Sequence, residues 1–354
     1  MNTPHLPGRL GHPELSLATD PRTDPRIVAA LAPFGLDQNA GPPPVTADAP
    51  LSAKLEFCAA AEPGFAAMFE ALCDGMSPVQ GVERRTETIS GPGGDVTLFI
   101  HRPEGAQGAL PGVLHLHGGG MTILSASSPV YARWRDGLAA AGLMVVGVEF
   151  RNAGGALGPH PFPAGLDDCT AALAWTHAHR AELGIGRLIV SGESGGGNLT
   201  LATALRARRE NKLEAIDGVY AMCPYISNAW AEKDPSLPSL YENDGFFLDC
   251  AMMGTMSSVY DPSGDNADNP LCWPYRAKPE DLAGLPPHVI SVNELDPLRD
   301  EGLAYFRALR QAGVPAVSRT VNGTCHAGDL MFPRDLPDTA LATLQDVASF
   351  AKAL

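Results

Sequence analysis

Hydrophobic positions along the chain change their period near Arg84. Beyond it, short runs of apolar and β-branched residues alternate with segments whose apolar positions recur every three or four residues, as buried strands alternate with amphipathic helices. The runs that predict strands are RRTETISG, VTLFIHRP, PGVLHLH, LMVVGVEF, RLIVSGES, AIDGVYAMCPY, HVISVNEL and AVSRTVNG. The first two flank a turn at Pro92 to Asp95 and predict an antiparallel pair. The others predict a mainly parallel sheet with helices on both faces, the α/β class.

The segments between these runs have helical periodicity. They are VYARWRDGLAAAG, GLDDCTAALAWTHAHRAELG, the segment after Ser194, DEGLAYFRALRQAG and a C-terminal stretch from Asp338. In a sheet of this kind, ligands bind beyond the carboxyl ends of the strands. Residues that immediately follow the predicted strands are therefore the first candidates for chemistry.

Two regions lie outside this alternation. Residues 1–50 hold ten prolines, so we expect an irregular arm with one helix, which begins at Pro25 with Asp24 as its N-cap. Residues 51–75 predict two helices broken at Pro63. Residues 226–285 form a long insertion rich in proline, asparagine, aspartate and aromatic residues, and such insertions usually serve as lids or binding elements.

Composition and charge restrict the functional classes. The chain has 354 residues, 45% hydrophobic and 18% charged, which predicts a globular protein with a large core. Its net charge of −15 disfavours nucleic acid or an anionic membrane as a partner. No segment has the pattern of a signal peptide or a membrane span, so we expect a cytoplasmic protein. The seven cysteines lack C-x-x-C spacing, which disfavours both a disulfide framework and a zinc site.

The run Gly192-Glu193-Ser194-Gly195-Gly196 lies between a predicted strand and a predicted helix. This is the pattern of a nucleophile elbow, in which a strained turn presents a serine hydroxyl above the sheet. The same five residues also occur in strand-to-helix turns without chemistry, so the motif alone leaves both interpretations open.

Two further residues complete a catalytic set. Asp296 follows the strand HVISVNEL, and His326 follows AVSRTVNG. Each has an alternative interpretation, because Asp296 before a proline is also a helix-cap pattern and His326 could be an ordinary loop histidine. The order Ser, Asp, His is the order of the α/β-hydrolase fold, and it favours Ser194 as nucleophile, His326 as base and Asp296 as the acid that orients it. Glu294 and Asp300 are close enough in sequence to compete for the acid's role.

Glycines after the strand PGVLHLH predict an oxyanion hole. The run His117 to Gly120 leaves backbone N–H groups unobstructed, and we expect Gly118 and Gly119 to bind the oxyanion with Gly195 as a third donor. The alternatives are an ordinary turn or a phosphate-binding loop, and neither Walker nor Rossmann spacing is present.

With these motifs the chain resembles the hormone-sensitive-lipase-like branch of the α/β hydrolases, and most of all bacterial carboxylesterases of the brefeldin A esterase type. The resemblance extends from about Arg84 to the C-terminus. Two departures are the elbow residues Glu193 and Gly195 and the extra residues GGALG after Arg151. The segments that carry it are His117 to Gly120, His160 to Asp168, Gly192 to Gly196, Asp296 to Gly302 and His326.

The resemblance implies an eight-stranded sheet, no cofactor and hydrolysis of short-chain acyl esters. It also implies a helical cap, formed by an N-terminal segment, 1–80, and an insertion, 226–285, around a catalytic domain of residues 81–225 and 286–354. Relatives often pair through an edge strand, which makes AVSRTVNG a candidate homodimer edge. Two rival functions stay open, an amidase or lactonase with the same triad and a small-molecule-binding protein without activity.

Location in the cap or the oxyanion loop suggests residues that line a substrate pocket. Three structural roles are also expected: Arg151 paired with Asp167 or Asp168, Glu193 holding a loop through its carboxylate, and Cys325 as a small buried filler. The pocket candidates are Met121, Phe65, Met68, Trp230, Phe246 and Phe247.

Overall fold

A computed structural model describes residues 6–354 as one eight-stranded sheet with helices on both faces. The strands are β1 (Val82–Gly91), β2 (Gly94–Pro103), β3 (Leu110–Leu116), β4 (Met144–Glu149), β5 (Ile185–Glu193), β6 (Gly218–Met222), β7 (His288–Asn293) and β8 (Ala316–Val321). Their spatial order is β1-β2-β4-β3-β5-β6-β7-β8. β1 with β2 and β2 with β4 are antiparallel, and all other pairs are parallel. The predicted fold class is confirmed.

Thirteen helices surround this sheet in the described part of the chain. They are α1 (Gly8–Gly11), α2 (Pro25–Leu31), α3 (Leu51–Cys73), α4 (Pro129–Ala140), α5 (Ala164–Ala178), α6 (Arg180–Leu183), α7 (Gly195–Arg209), α8 (Ser239–Glu242), α9 (Cys250–Tyr260), α10 (Pro279–Leu282), α11 (Arg299–Gln311), α12 (Gly328–Met331) and α13 (Pro337–Ala353). Among them α4 and α13 pack together on one face of the sheet, and α5 and α7 on the other. None of the helices in residues 6–354 has the length and apolarity needed to cross a membrane.

The central strands form the core because they are covered on both faces. Every residue of β6 and β7 is buried, as expected for parallel strands with continuous apolar runs. Strand β8 lies at the edge, where Val317 is 62% exposed, so its predicted position is confirmed. A homodimer through this edge and the domain limits at residues 80, 225 and 285 stay predictions.

Helix α3 corrects one prediction. Pro63 does not break residues 51–75 into two helices but lies inside one helix of 23 residues. Proline removes one backbone hydrogen bond, and packing offsets that loss because Cys58, Phe69 and Leu72 are buried on either side of it. The helix packs against α4 and against α9, an 11-residue helix of the insertion whose position no sequence pattern predicted.

Candidate active site

The sharp turn between β5 and α7 carries Ser194. Its backbone has φ 56° and ψ −118°, a strained conformation for a residue with a side chain. Hydrogen bonds hold it from both sides, because the Ser194 N–H donates to the Met222 carbonyl at 3.0 Å and the Ser194 carbonyl accepts the Tyr225 N–H at 3.0 Å. A Cβ on Gly196 would lie 2.6 Å from the His117 carbonyl oxygen and would overlap the carbonyl oxygen of Leu116. Only glycine at this position therefore lets the end of β3 pack this close to the start of α7.

Asp296 and His326 form a buried pair beyond the ends of β7 and β8. The His326 Nδ1–H donates to Asp296 Oδ2 at 2.8 Å, and the other carboxylate oxygen accepts the Leu298 N–H at 2.9 Å. Asp296 therefore has both roles that its sequence position allowed. Its Oδ2 orients His326, as the acid of a triad does, and its Oδ1 caps the turn before α11. With Nδ1 engaged, Nε2 is the ring nitrogen left to exchange protons.

The two competing carboxylates are engaged elsewhere. Glu294 Oε2 accepts the Gly323 N–H at 2.8 Å, in the loop after β8. Asp300 Oδ2 accepts the Ser239 N–H at 2.7 Å and its Oδ1 accepts from Arg299 Nε at 3.0 Å. Both brace the loops around the site, and neither bonds to His326.

The glycine loop after β3 changes one predicted role. The Gly118 N–H donates to Glu193 Oε1 at 2.7 Å, so this amide is already engaged and the prediction that it binds an oxyanion has to be corrected. Gly119 and Gly120 have φ of 106° and 62°, which favour glycine. Within residues 6–354, the N–H groups of Gly119, Gly120 and Gly195 donate to no protein acceptor.

Buried polar groups fix this loop. Glu193 Oε2 accepts from His115 Nε2 at 3.0 Å while Oε1 holds Gly118, which confirms the structural role expected for Glu193. His117 donates Nδ1–H to the Gly118 carbonyl at 2.7 Å and stacks on Phe150 with ring centroids 4.2 Å apart. Burial lowers the pKa of His117 to about 3, so its imidazole is neutral and acts only through this hydrogen bond and its packing.

Gly195 allows the loop to approach the elbow. A Cβ at this position would lie 2.5 Å from the Met121 nitrogen and 2.7 Å from the Gly120 nitrogen, which is too close for an alanine unless the loop moves. Glycine at 195 therefore matches the tight position of the loop in this chain.

Comparison with known proteins agrees with this geometry. A family model described as "alpha/beta hydrolase fold" matches residues 113–329. The chain belongs to this family. It is 34% identical over 285 residues to the carboxylesterase NlhH of Mycobacterium tuberculosis, covering 78% of this chain and 84% of the relative.

Solved structures extend the likeness over nearly the whole hydrolase. Brefeldin A esterase, a bacterial homologue of human hormone-sensitive lipase, superposes with a TM-score of 0.93 at 47% identity and covers 98% of each chain. Esterase Est22 superposes with a TM-score of 0.85 at 38% identity, covering 96% of this chain and 99% of its own. The resemblance to this branch is confirmed, and the hydrolase is a carboxylic ester hydrolase, which removes the inactive binding protein as a rival.

The esterase has an apolar cleft over Ser194 and His326. Together with the open solvent in front of it, its empty space is about 590 Å³. Among the predicted lining residues, Phe65 and Phe247 lie on this cleft.

Four other predicted lining residues are wrong because they pack into the core. Trp230 is fully buried, donates its indole N–H to the Ser227 carbonyl at 3.1 Å and packs edge-on against Tyr225. Met68, Met121 and Phe246 are also buried away from the cleft.

Several lining residues were missed. Phe69 lies one helical turn after Phe65 on α3, but Met68 shares that face at i+3, so the helical period alone did not distinguish them. The methionines of α9 had no such signal, because that helix was not predicted. The missed side chains are Phe69, Ile123, Leu124, Tyr131, Leu248, Met252, Met253, Met256, Leu330 and Met331.

Cys223 and Cys325 are buried, and Arg151 forms an ion pair. Cys223 brings its sulfur within 4.8 Å of ligand atoms of Asp296 and His326, but burial raises the pKa of its thiol well above the usual range and opposes the thiolate that a metal needs. Cys325 is fully buried, as expected of a filler. Arg151 pairs with Asp168, Nε to Oδ2 at 2.8 Å, so the expected ion pair is confirmed.

Proposed function

We propose that this esterase hydrolyses short-chain acyl esters through an acyl-enzyme on Ser194, with His326 as base and Asp296 as its orienting acid. The observation that supports this most is the buried Asp296–His326 hydrogen bond of 2.8 Å beside a cleft that also contains Ser194. It leaves His326 Nε2 as the proton acceptor, in the tautomer that a serine hydrolase needs.

The reaction proceeds in two steps, the acylation of Ser194 and its deacylation. His326 Nε2 takes the hydroxyl proton as Ser194 Oγ attacks the ester carbonyl, and the tetrahedral intermediate expels the alcohol, which receives that proton. Water, deprotonated by the same nitrogen, then attacks the acyl-enzyme, and the acid leaves as Ser194 Oγ takes that proton back from His326. The free N–H groups of Gly119, Gly120 and Gly195 are our candidates for binding the oxyanion, and Gly120 replaces Gly118 in this role.

The residues that line the cleft favour a neutral ester with an apolar acyl group. The acidic side chain on the cleft, Glu193, has both oxygens engaged by His115 and Gly118, so it offers nothing to a charged substrate. Phe65, Phe69 and Met256 supply apolar contacts, which suit a hydrocarbon acyl group.

A fluorophosphonate probe and p-nitrophenyl esters of rising chain length test the proposal. We expect stoichiometric labelling at Ser194, no labelling of Ser194→Ala, and the highest kcat/KM on acetyl to hexanoyl esters. Preference for amides or lactones of matched size would favour the rival hydrolases instead. Labelling at another residue, or full activity in Ser194→Ala, would exclude this mechanism.

A further inference from the structure

A second apolar groove lies behind the active-site cleft, and Leu330 separates the two. Leu330 lines the cleft together with His326 and Met331, and it also lines a groove between α4 and α13 on the outer face of the molecule. The groove residues are Val79, Val130, Arg133, Trp134, Gly137, Leu330, Pro333, Pro337, Ala340, Leu341 and Leu344.

We propose that this groove is a subsite for the far end of a longer linear acyl chain, and that Leu330 is the barrier that keeps the esterase on short chains. The inference rests on the proposed function, because the chain must start from an acyl group bound to Ser194. An acyl chain is the expected occupant because Leu330 borders both the groove and the cleft in which the acyl group is bound.

The barrier lies where α12 meets α4 and α13. Leu330 is buried, 3% exposed, on the short helix α12, which packs against both α4 and α13. On the facing helix, the neighbouring residues Val130 and Tyr131 divide in the same way, with Val130 on the groove and Tyr131 on the cleft.

The chemistry of the groove suits an alkyl chain. Its walls are aliphatic or aromatic except for Arg133, whose Nη1 donates to the Ser77 carbonyl at 2.8 Å. Leu341 is 53% exposed, so the far end is open to solvent. The polar groups on these walls are the Arg133 guanidinium and the Trp134 indole N–H, and the other lining residues offer an alkyl chain apolar contacts.

Shortening Leu330 should join the two spaces. Each methylene that moves from water into an apolar site can gain about fourfold in kcat/KM as an upper bound. Leu330→Ala should therefore raise the ratio of kcat/KM for decanoyl over butanoyl p-nitrophenyl esters by about tenfold or more relative to the parent. Leu330→Val should give a smaller rise in the same direction.

Two further variants make the test specific. Leu341→Asp, added to Leu330→Ala, places a carboxylate at the open end and should remove most of the gain on decanoyl ester. Leu51→Ala, an exposed leucine at the start of α3 and outside both spaces, should leave the ratio as in the parent.

Active-site labelling separates the two possible failures. If the parent is not labelled at Ser194, the proposed function fails. If Leu330→Ala is labelled like the parent but its ratio is unchanged, or if Leu341→Asp has no effect on the gain, the groove is not an acyl subsite. If Leu330→Ala does not fold, an unchanged ratio in a labelled Leu330→Val variant overturns the inference equally.

Discussion

The two sides of the active-site cleft are built on opposite principles. The strand side consists of the residues that follow β3, β5, β7 and β8, and its polar groups are hydrogen-bonded in pairs, as Asp296 with His326 and Glu193 with Gly118. The cap side consists of α3 and α9, which present Phe65, Phe69 and methionines to the cleft. Paired polar groups define one geometry, whereas methionine side chains adapt to different shapes. With the proposed mechanism, we infer from this difference that the strand side carries out catalysis and the cap side determines which substrates fit.

One carboxylate, that of Glu62, connects the two sides of the cleft. Glu62 of α3 accepts the N–H groups of Leu124 and Ala156, each at 2.6 Å, and so ties the cap helix to the glycine loop and to the extra loop after Arg151. Helix α3, which carries Phe65 and Phe69, is therefore held to the loops of the strand side by hydrogen bonds.

The largest expected effect is on the acid of the strand side. Asp296→Asn should reduce kcat by about 10⁴, because the amide no longer favours the required histidine tautomer. Stopped assays on butanoyl ester give kcat, and thermal unfolding checks the fold. Asp300→Asn, which changes a carboxylate that braces α8, should affect stability more than kcat. A kinetic loss that followed Asp300 instead would contradict the assignment.

Loop positioning should have the next largest effect. Glu193→Ala removes the acceptor of the Gly118 N–H and frees the glycine loop, and we expect kcat to fall by about 10², within the range for losing an oxyanion donor. Glu193→Gln keeps an acceptor oxygen and should retain most of that activity. Equal losses in both variants would show that charge, and not the hydrogen bond to Gly118, is what matters.

Sequence predicted the strand side better than the cap side for a physical reason. Ser194, Asp296 and His326 follow strands, and the fold brings strand ends together whatever the loops do. The engagement of Gly118 by Glu193 depends on loop geometry that no local pattern encodes. On the cap side, Phe65 and Met68 differ by three positions on one helix, and only the packing of α3 decides which faces the cleft.

A change on the cap side should alter selectivity more than rate. A Cβ on Gly120 would lie 2.6 Å from the Met256 methyl group, so Met256 covers the glycine loop. Met256→Ala should enlarge the cleft and shift kcat/KM toward bulkier acyl groups by less than about tenfold, with Met256→Leu close to the parent. Branched and linear esters of equal carbon number measure the shift. A loss as large as that of Glu193→Ala would mean that the cap side also fixes the catalytic geometry.

The smallest effect on activity is expected at the junction of the two sides, where a change should appear only in stability. Glu301 is buried at the start of α11, and its Oε1 accepts the N–H of Ile226, the first residue of the insertion, at 2.7 Å. Its Oε2 has no partner within the described chain. Burial raises the pKa of Glu301 from 4.5 to about 8, so the folded protein keeps this proton where the unfolded chain loses it.

The sign of the pH effect follows from that proton. Because the folded-state pKa is raised, the contribution of Glu301 to stability is full below pH 4.5 and is lost as the pH rises toward about 8. Each pH unit in this window costs up to about 1.4 kcal/mol. Glu301→Gln mimics the protonated acid, so its free energy of unfolding should equal that of the parent near pH 4.5 and exceed it increasingly up to pH 8. Urea unfolding across this range measures the difference, with the exposed Glu280→Gln as control, and a difference that did not grow with pH would show that Glu301 is ionised in the folded protein.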